Sequence, residues 1–119
     1  MVKIVLIGAG SSQFGLGTVS DIFKSNILKD CNITLHDINK KALEKTKNTA
    51  EKYKKDFNAN CKIEATTNRK EALKDADYCL ISIEVGDRFE LWDQDWKIPL
   101  QYGFKQIYGE NGGPGGLFH

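Results

Sequence analysis

Residues 4–14 read "IVLIGAGSSQF", an unbroken apolar run that meets two glycines and then polar residues. A short continuous apolar run predicts a strand that is buried on both faces of a parallel sheet. Gly8 allows a tight turn after this strand, and Gly10 leaves room for a phosphate to approach the backbone. The next helix would direct its free N–H groups and its positive dipole end at that phosphate. The stretch therefore predicts a strand, a phosphate-binding turn and a helix.

The turn departs from the usual dinucleotide-binding pattern at its third glycine. In G-x-G-x-x-G the third glycine lets the helix and the strand pack closely, and Gln13 stands at that position here. We interpret Phe14 as filling the wider gap, and Gly15 and Gly17 as giving the chain local freedom. Taken as a bare pattern, the turn is therefore a weak signal, and its context has to support it.

The first 83 residues alternate apolar runs with helical spacing. The predicted strands lie at residues 2–7, 32–38, 61–67 and 77–83, and the intervening segments are spaced as helices, the second with Asn39 as its N-cap. The order β-α-β-α-β-α-β with short loops predicts an α/β fold. Its form is a doubly wound parallel sheet, Rossmann-like and incomplete, with about four strands and flanking helices.

An acid follows the second predicted strand. Asp37 lies 27 residues after Gly10, where the usual spacing is about 20. Its carboxylate would accept hydrogen bonds from both adenosine ribose hydroxyls and would repel a 2′-phosphate, so the pattern favours NAD over NADP. The alternative is that Gly8 and Gly10 only form a tight turn and Asp37 only caps a helix.

Two serine hydroxyls and the end of the fourth strand complete the predicted cofactor site. The hydroxyls follow the second glycine, and the strand end passes the same edge of the sheet. The predicted NAD-binding residues are Gly8, Ala9, Gly10, Ser11, Ser12, Asp37, Ser82 and Glu84.

The C-terminal third is not explained by a nucleotide-binding fold alone. Residues 84–107 have helical spacing that Pro99 disturbs, and residues 108–119 form a glycine-rich loop. The segments "GAGSSQF", "DADYCLISIEVGDRF", "IPLQYG" and "YGENGGPGGLFH" together resemble glycoside hydrolase family four, the NAD- and manganese-dependent glycosidases. The resemblance spans the whole chain, and the E-x-x-GPGG element after IPxxYG is its most distinctive part.

The resemblance implies a redox-assisted glycosidase. NAD would take a hydride from C3 of the sugar, a tyrosine base would remove the acidified C2 proton, and the aglycone would leave before water adds and the hydride returns. A divalent metal such as manganese would polarise the sugar oxygens. Glu110 matches an acid that raises the basicity of that tyrosine, and Asn111 adjoins the sugar site. Arg88 is a candidate contact for a carboxylate or phosphate, with a surface salt bridge as its alternative.

The resemblance also sets what this chain would lack. The metal ligands, the catalytic acid and the tyrosine base of the family lie beyond the GPGG element. We therefore expect an N-terminal dinucleotide-binding domain that binds NAD weakly or not at all by itself and is inactive alone, from a parent that is a homo-oligomer. An aromatic residue, Trp92, stands where some members have a phosphate-reading arginine, which argues against a phosphorylated sugar.

Composition excludes several other functions. The net charge of +1 gives no electrostatic basis for binding nucleic acid or an anionic membrane, and no apolar run reaches the roughly 20 residues of a membrane span. The three cysteines form no CxxC pair, so we expect reduced thiols, no metal site and a cytoplasmic location.

Two other functions remain open. One is an NAD-dependent dehydrogenase of the lactate/malate dehydrogenase-like group, which would lack the E-x-x-GPGG element. The other is a non-catalytic nucleotide-binding module, in which the glycine turn would bind a nucleotide to regulate a partner.

Overall fold

The computed structural model describes residues 1–11, 13–105 and 114. The chain divides into two compact units, Met1–Ile83 and Glu84–His119. The elements of the first unit are β1 (Lys3–Ile7), α1 (Phe14–Lys24), β2 (Asn32–His36), α2 (Lys40–Asp56), β3 (Lys62–Thr66), α3 (Arg69–Leu73) and β4 (Tyr78–Ile81). The second unit contains α4 (Arg88–Gln101).

The four strands form one parallel sheet in the order β3-β2-β1-β4. The predicted Rossmann-like parallel sheet is therefore confirmed. Alternate side chains of β1 point to opposite faces, as the pleat requires. Leu6 packs into the larger core with α1 and α2, whereas Val5 packs against Ala72 of α3. Because every strand is parallel, the turns after β1, β2 and β4 meet at the carboxyl edge of the sheet.

Among the described residues, three of the four helices have an N-cap side chain that accepts a hydrogen bond, and α1 does not. The capping residues are Asn39 for α2, Asn68 for α3 and Asp87 for α4. Each side chain accepts a hydrogen bond from an amide of the first turn, which would otherwise have no partner in the helix. The N-cap of α1 is Gln13, whose side chain makes no such bond.

Burial differs from the sequence pattern at two elements. The apolar run of β4 resembles that of β1, yet β4 lies at the sheet edge and all four of its residues are exposed, with Ile81 at 65%. The helical spacing of apolar residues after Phe14 extends to Ile27, which predicts a helix as far as that residue. In the structure α1 ends at Lys24, so Ile27 lies beyond the helix and is 89% exposed.

The α4 helix continues through the proline that we expected to disturb it. Pro99 lies in the last turn of α4 and is buried. Gly103 has a φ of +84°, and its amide donates to the Leu100 carbonyl while that of Phe104 donates to the Pro99 carbonyl. This pair of bonds is a Schellman motif, so the helix ends with Gly103 in the left-handed conformation.

Candidate cofactor site

Two backbone hydrogen bonds connect the turn after β1 to the end of β2. The amides of Gly8 and Ala9 both donate to the His36 carbonyl, at 2.9 and 3.0 Å. Gly8 has a φ of +89°, and a Cβ there would lie 1.9 Å from the Ser82 carbonyl oxygen. Only glycine fits this position, because a side chain would meet the backbone that follows β4. His36 acts through its backbone, which leaves no signal in the sequence.

The second glycine and the acid after β2 are in direct contact. The amide of Gly10 donates to Asp37 Oδ2 at 2.8 Å, and the amide of Asn39 donates to Oδ1 at 2.9 Å. A Cβ on Gly10 would lie 2.7 Å from Oδ2. Each carboxylate oxygen retains accepting capacity for a ribose hydroxyl, because a carboxylate has about four lone-pair sites.

The start of α1 is the candidate position for an anion, because most amides of the turn before it are already bonded within the fold. The amides of Gly8, Ala9, Gly10 and Ser11 all donate within the fold, that of Ser11 to the Gly8 carbonyl at 3.2 Å, so their role is to shape the turn. Ser11 Oγ accepts from the Phe14 amide at a long 3.4 Å. The first turn of α1 holds no acidic residue and Gln13 provides no side-chain cap, so the positive end of the helix dipole is not neutralised there.

Close packing of α1 against the turn depends on Gly15 and not on residue 13, the position of the third glycine in the usual motif. A Cβ on Gly15 would lie 2.1 Å from the Ala9 carbonyl oxygen, and Gly15 is buried. The role that we gave Gly15, local freedom, is therefore wrong: it is the residue that lets the helix cross the turn closely. A Cβ on Gly17 would meet nothing within 4 Å, so that residue has no such role.

Ser82 lies beside the turn, as its place after β4 predicts. Its amide donates to the Ile7 carbonyl at 2.9 Å, and its own carbonyl faces Gly8. The structure therefore brings the predicted residues Gly8, Gly10, Asp37 and Ser82 to the same edge of the sheet, together with Ala9 and Ser11.

The other predicted residues are in the second unit or outside the described residues. Glu84 Oε1 accepts from Arg88 Nε at 2.6 Å, which raises the pKa of the Arg88 guanidinium, and both side chains are about half exposed. The Arg88 guanidinium also lies 5.5 Å from the centre of the Trp92 ring. Ser12, Glu110 and Asn111 lie outside the described residues.

The described residues contain neither a cluster of metal-binding side chains nor a membrane-spanning helix. Among residues 1–11, 13–105 and 114, no three side chains of the His, Cys, Asp and Glu types are grouped so as to hold a metal ion. In the same part of the chain, no helix combines the length and the apolar character needed to cross a membrane.

The parallel sheet, the glycine turn at its carboxyl edge and the acid after β2 define a Rossmann-type nucleotide-binding fold. The sequence matches the profile described as "Family 4 glycosyl hydrolase" over residues 3–119, and the chain therefore belongs to that family. The match includes the C-terminal third, which the dehydrogenase alternative leaves unexplained.

The chain is similar to known glycosidases along nearly its whole length. It is 58% identical over 117 residues to an alpha-glucosidase of Erwinia rhapontici, covering 98% of this chain and 26% of that protein. A 6-phospho-alpha-glucosidase from gut microorganisms, solved with NAD and glucose-6-phosphate, matches at a TM-score of 0.73 with 28% identity, covering 98% and 26%. A 6-phospho-beta glucosidase of Thermotoga maritima, solved with manganese, NAD+ and glucose-6-phosphate, matches at 0.73 with 25% identity, covering 98% and 27%. The chain spans about a quarter of the length of these relatives.

Proposed function

We propose that this chain is the NAD-binding domain of a glycosidase. The observation that carries the proposal is the hydrogen bond from Gly10 to Asp37, which joins the glycine turn to the acid that would hold the adenosine ribose. The diphosphate would lie at the uncapped start of α1, near Ser11 and Gln13. Bound NAD would supply a hydride acceptor, and the residues of this domain would hold and orient it.

The proposed activity is hydrolysis of an α-glucoside with an unphosphorylated sugar, dependent on NAD and manganese. The alpha-glucosidase relative at 58% identity supports the sugar and the anomer. Trp92 supports the absence of a phosphate, as an aromatic side chain offers no cation to a phosphate. The solved neighbours carry glucose-6-phosphate, so the two sugar classes must be compared directly. We assign none of the described residues to the metal.

Three residues have proposed roles on the sugar side. Glu110 would raise the pKa of a tyrosine base through its negative charge, and Asn111 would contact the sugar. Arg88 keeps two guanidinium nitrogens beyond the Nε bonded to Glu84, so it retains donors for a sugar oxygen or carboxylate.

Binding of NAD is tested by titrating the chain and following its backbone amides by NMR, which detects weak complexes. We expect shifts centred on Gly10, Ser11 and Gln13. An Asp37→Ala variant should lose them, whereas Asp21→Ala, on the exposed side of α1, should keep them. Shifts that centre elsewhere, or that persist in Asp37→Ala, would refute the proposed site.

The activity is tested with p-nitrophenyl α-glucoside and its 6-phosphate, in the presence of NAD and manganese. If the reading frame continues past codon 119, the longer product is assayed beside the 119-residue chain. We expect hydrolysis of the unphosphorylated substrate by the longer product. Preference for the 6-phosphate would refute the proposed substrate, and a redox product without hydrolysis would favour a dehydrogenase.

We further propose that the protein is cytoplasmic and homo-oligomeric. The cytoplasmic location is supported by three free cysteines without a disulfide framework. Cell fractionation and light scattering on the purified protein would test the two statements separately.

A further inference from the structure

Two buried thiols face each other at the amino-terminal edge of the sheet, away from the cofactor site. Cys31 immediately precedes β2 and Cys61 immediately precedes β3, and the register pairs the next residues, Asn32 and Lys62. The Sγ atoms of Cys31 and Cys61 are 3.8 Å apart, and the residues are 2% and 0% exposed. A disulfide has an S–S distance of about 2.04 Å, so each sulfur needs to move by roughly 1 Å.

We propose that Cys31 and Cys61 are a modification site, at which a low-molecular-weight disulfide oxidises the two thiols to an intramolecular disulfide. One protein thiolate attacks the reagent and expels one reagent thiol, leaving a mixed disulfide. The second protein thiolate then attacks the protein sulfur of that mixed disulfide and expels the other reagent thiol. The protein loses two protons and two electrons in total, and the reagent is reduced to two thiols.

The surroundings of the pair tolerate this oxidation. The Cys61 S–H has two carbonyl acceptors. Its Sγ lies 3.0 Å from the Lys29 carbonyl oxygen and 3.5 Å from the Leu28 carbonyl oxygen. A disulfide would have no S–H to donate. The two carbonyls keep other donors, because the Asn60 amide donates to Lys29 and the Cys31 amide donates to Leu28. Forming the disulfide therefore leaves no buried carbonyl without a partner.

The pair is slow to react in the folded state. Burial, with the neighbouring Cys61 as a second cause, raises the pKa of Cys31 to about 12. The thiolate is the attacking species, so its scarcity near neutral pH slows exchange. Cys79 on β4 is exposed and is the internal reference for an accessible thiol.

The test uses a Cys79→Ser variant, so that only the two thiols remain. The protein is unfolded in urea and refolded with 2-hydroxyethyl disulfide, which removes burial as a barrier. We expect no free thiol, a bond between the tryptic peptides 30–40 and 56–62, and a native circular dichroism spectrum. We also expect a Tm about 5–10 °C above that of the same sample after reduction, since the bond closes a loop between residues 30 apart.

Two control variants, Cys31→Ser/Cys79→Ser and Cys61→Ser/Cys79→Ser, should retain one sulfur as a free thiol or a mixed disulfide. Two free thiols in the refolded Cys79→Ser protein would overturn the proposal. So would mixed disulfides that do not close, or a linked protein with a lower Tm or a non-native spectrum. In the folded wild-type chain, we expect the reagent to modify Cys79 on the order of 100-fold faster than the pair.

Discussion

Asp37 accepts a hydrogen bond from the amide of Gly10 at 2.8 Å, across 27 positions of the sequence. The bond fixes the carboxylate at the mouth of the turn before any ligand is present. A second bond, from the Asn39 amide, holds the other carboxylate oxygen. Because the acid is already oriented, little side-chain entropy would remain to be lost if a ribose bound there as we propose.

Removing the charge of Asp37 should change the choice between NAD and NADP. Asp37→Asn retains one accepting oxygen but no longer repels a 2′-phosphate. We expect the ratio of the dissociation constants, NADP over NAD, to fall about tenfold or more, which corresponds to about 1.4 kcal/mol. Titrations followed by NMR measure both constants. Asp21→Asn removes an equal charge from the exposed side of α1 and should leave the ratio unchanged. An unaltered ratio in Asp37→Asn would contradict the ribose role.

Replacing Gly15 should separate α1 from the turn. In Gly15→Ala the new Cβ would meet the Ala9 carbonyl oxygen at 2.1 Å, so the helix must shift, at a cost of about 3 kcal/mol. We expect NAD binding to weaken together with stability. Gly17→Ala is the matched control in the same helix, because its Cβ meets nothing within 4 Å. This variant should stabilise the protein by about 0.5–1 kcal/mol. Urea unfolding measures both changes, and equal effects would contradict the packing role.

Replacing Gly8 should be more damaging than an ordinary loss of a left-handed glycine. Gly8→Ala combines a positive φ with a contact of 1.9 Å to the Ser82 carbonyl oxygen, so we expect a loss of at least about 3 kcal/mol. Gly103→Ala measures the cost of the left-handed backbone conformation alone. Gly103 has a φ of +84°, and a Cβ there would meet nothing within 4 Å. That control should lose only about 1–2 kcal/mol. Comparable losses in urea unfolding would show that the contact with Ser82 is unimportant.

The raised pKa of Cys31 predicts a loss of stability at alkaline pH. The folded value is about 12 and the ordinary value is 9.0, so between these values the unfolded chain loses a proton that the folded chain keeps. The free energy of unfolding should therefore fall as pH rises above 9, by up to about 1.4 kcal/mol per pH unit from this group. Urea unfolding from pH 8 to 10.5 measures the slope. Cys31→Ala should be less stable than the wild type at every pH, but its free energy of unfolding should fall less steeply with pH. Equal slopes in the two proteins would contradict the raised pKa of Cys31.

The sheet was predictable because burial and periodicity coincide in it. The runs at 2–7 and 32–38 are apolar enough to identify inner strands, and the structure places β1 and β2 there. The same signal cannot distinguish an inner strand from an edge strand. The run at 77–83 is equally apolar, but β4 is exposed at the edge because strand order depends on tertiary pairing.

The placement of the candidate residues could be predicted from the sequence, whereas their contacts could not. The positions of Gly8, Gly10 and Asp37 follow from the strand–turn–helix context, and the structure brings them together. The sequence did not predict that the amides of Gly8 and Gly10 donate to the His36 carbonyl and to Asp37. The role of Gly15 was missed because it depends on where the helix axis passes the Ala9 carbonyl, which residue spacing alone does not give.

The position of Gly15 matters for finding related domains by pattern. A search that demands glycine at the sixth place of the motif would discard this chain, although the steric need behind that glycine is met two residues later. Such a search should require glycine at the helix position that contacts the carbonyl of the residue between the first two glycines. In this chain that position is Gly15, and the carbonyl is that of Ala9. A query written as G-x-G-x(4)-G would retrieve domains in which the first helix can pack against the turn in the same way.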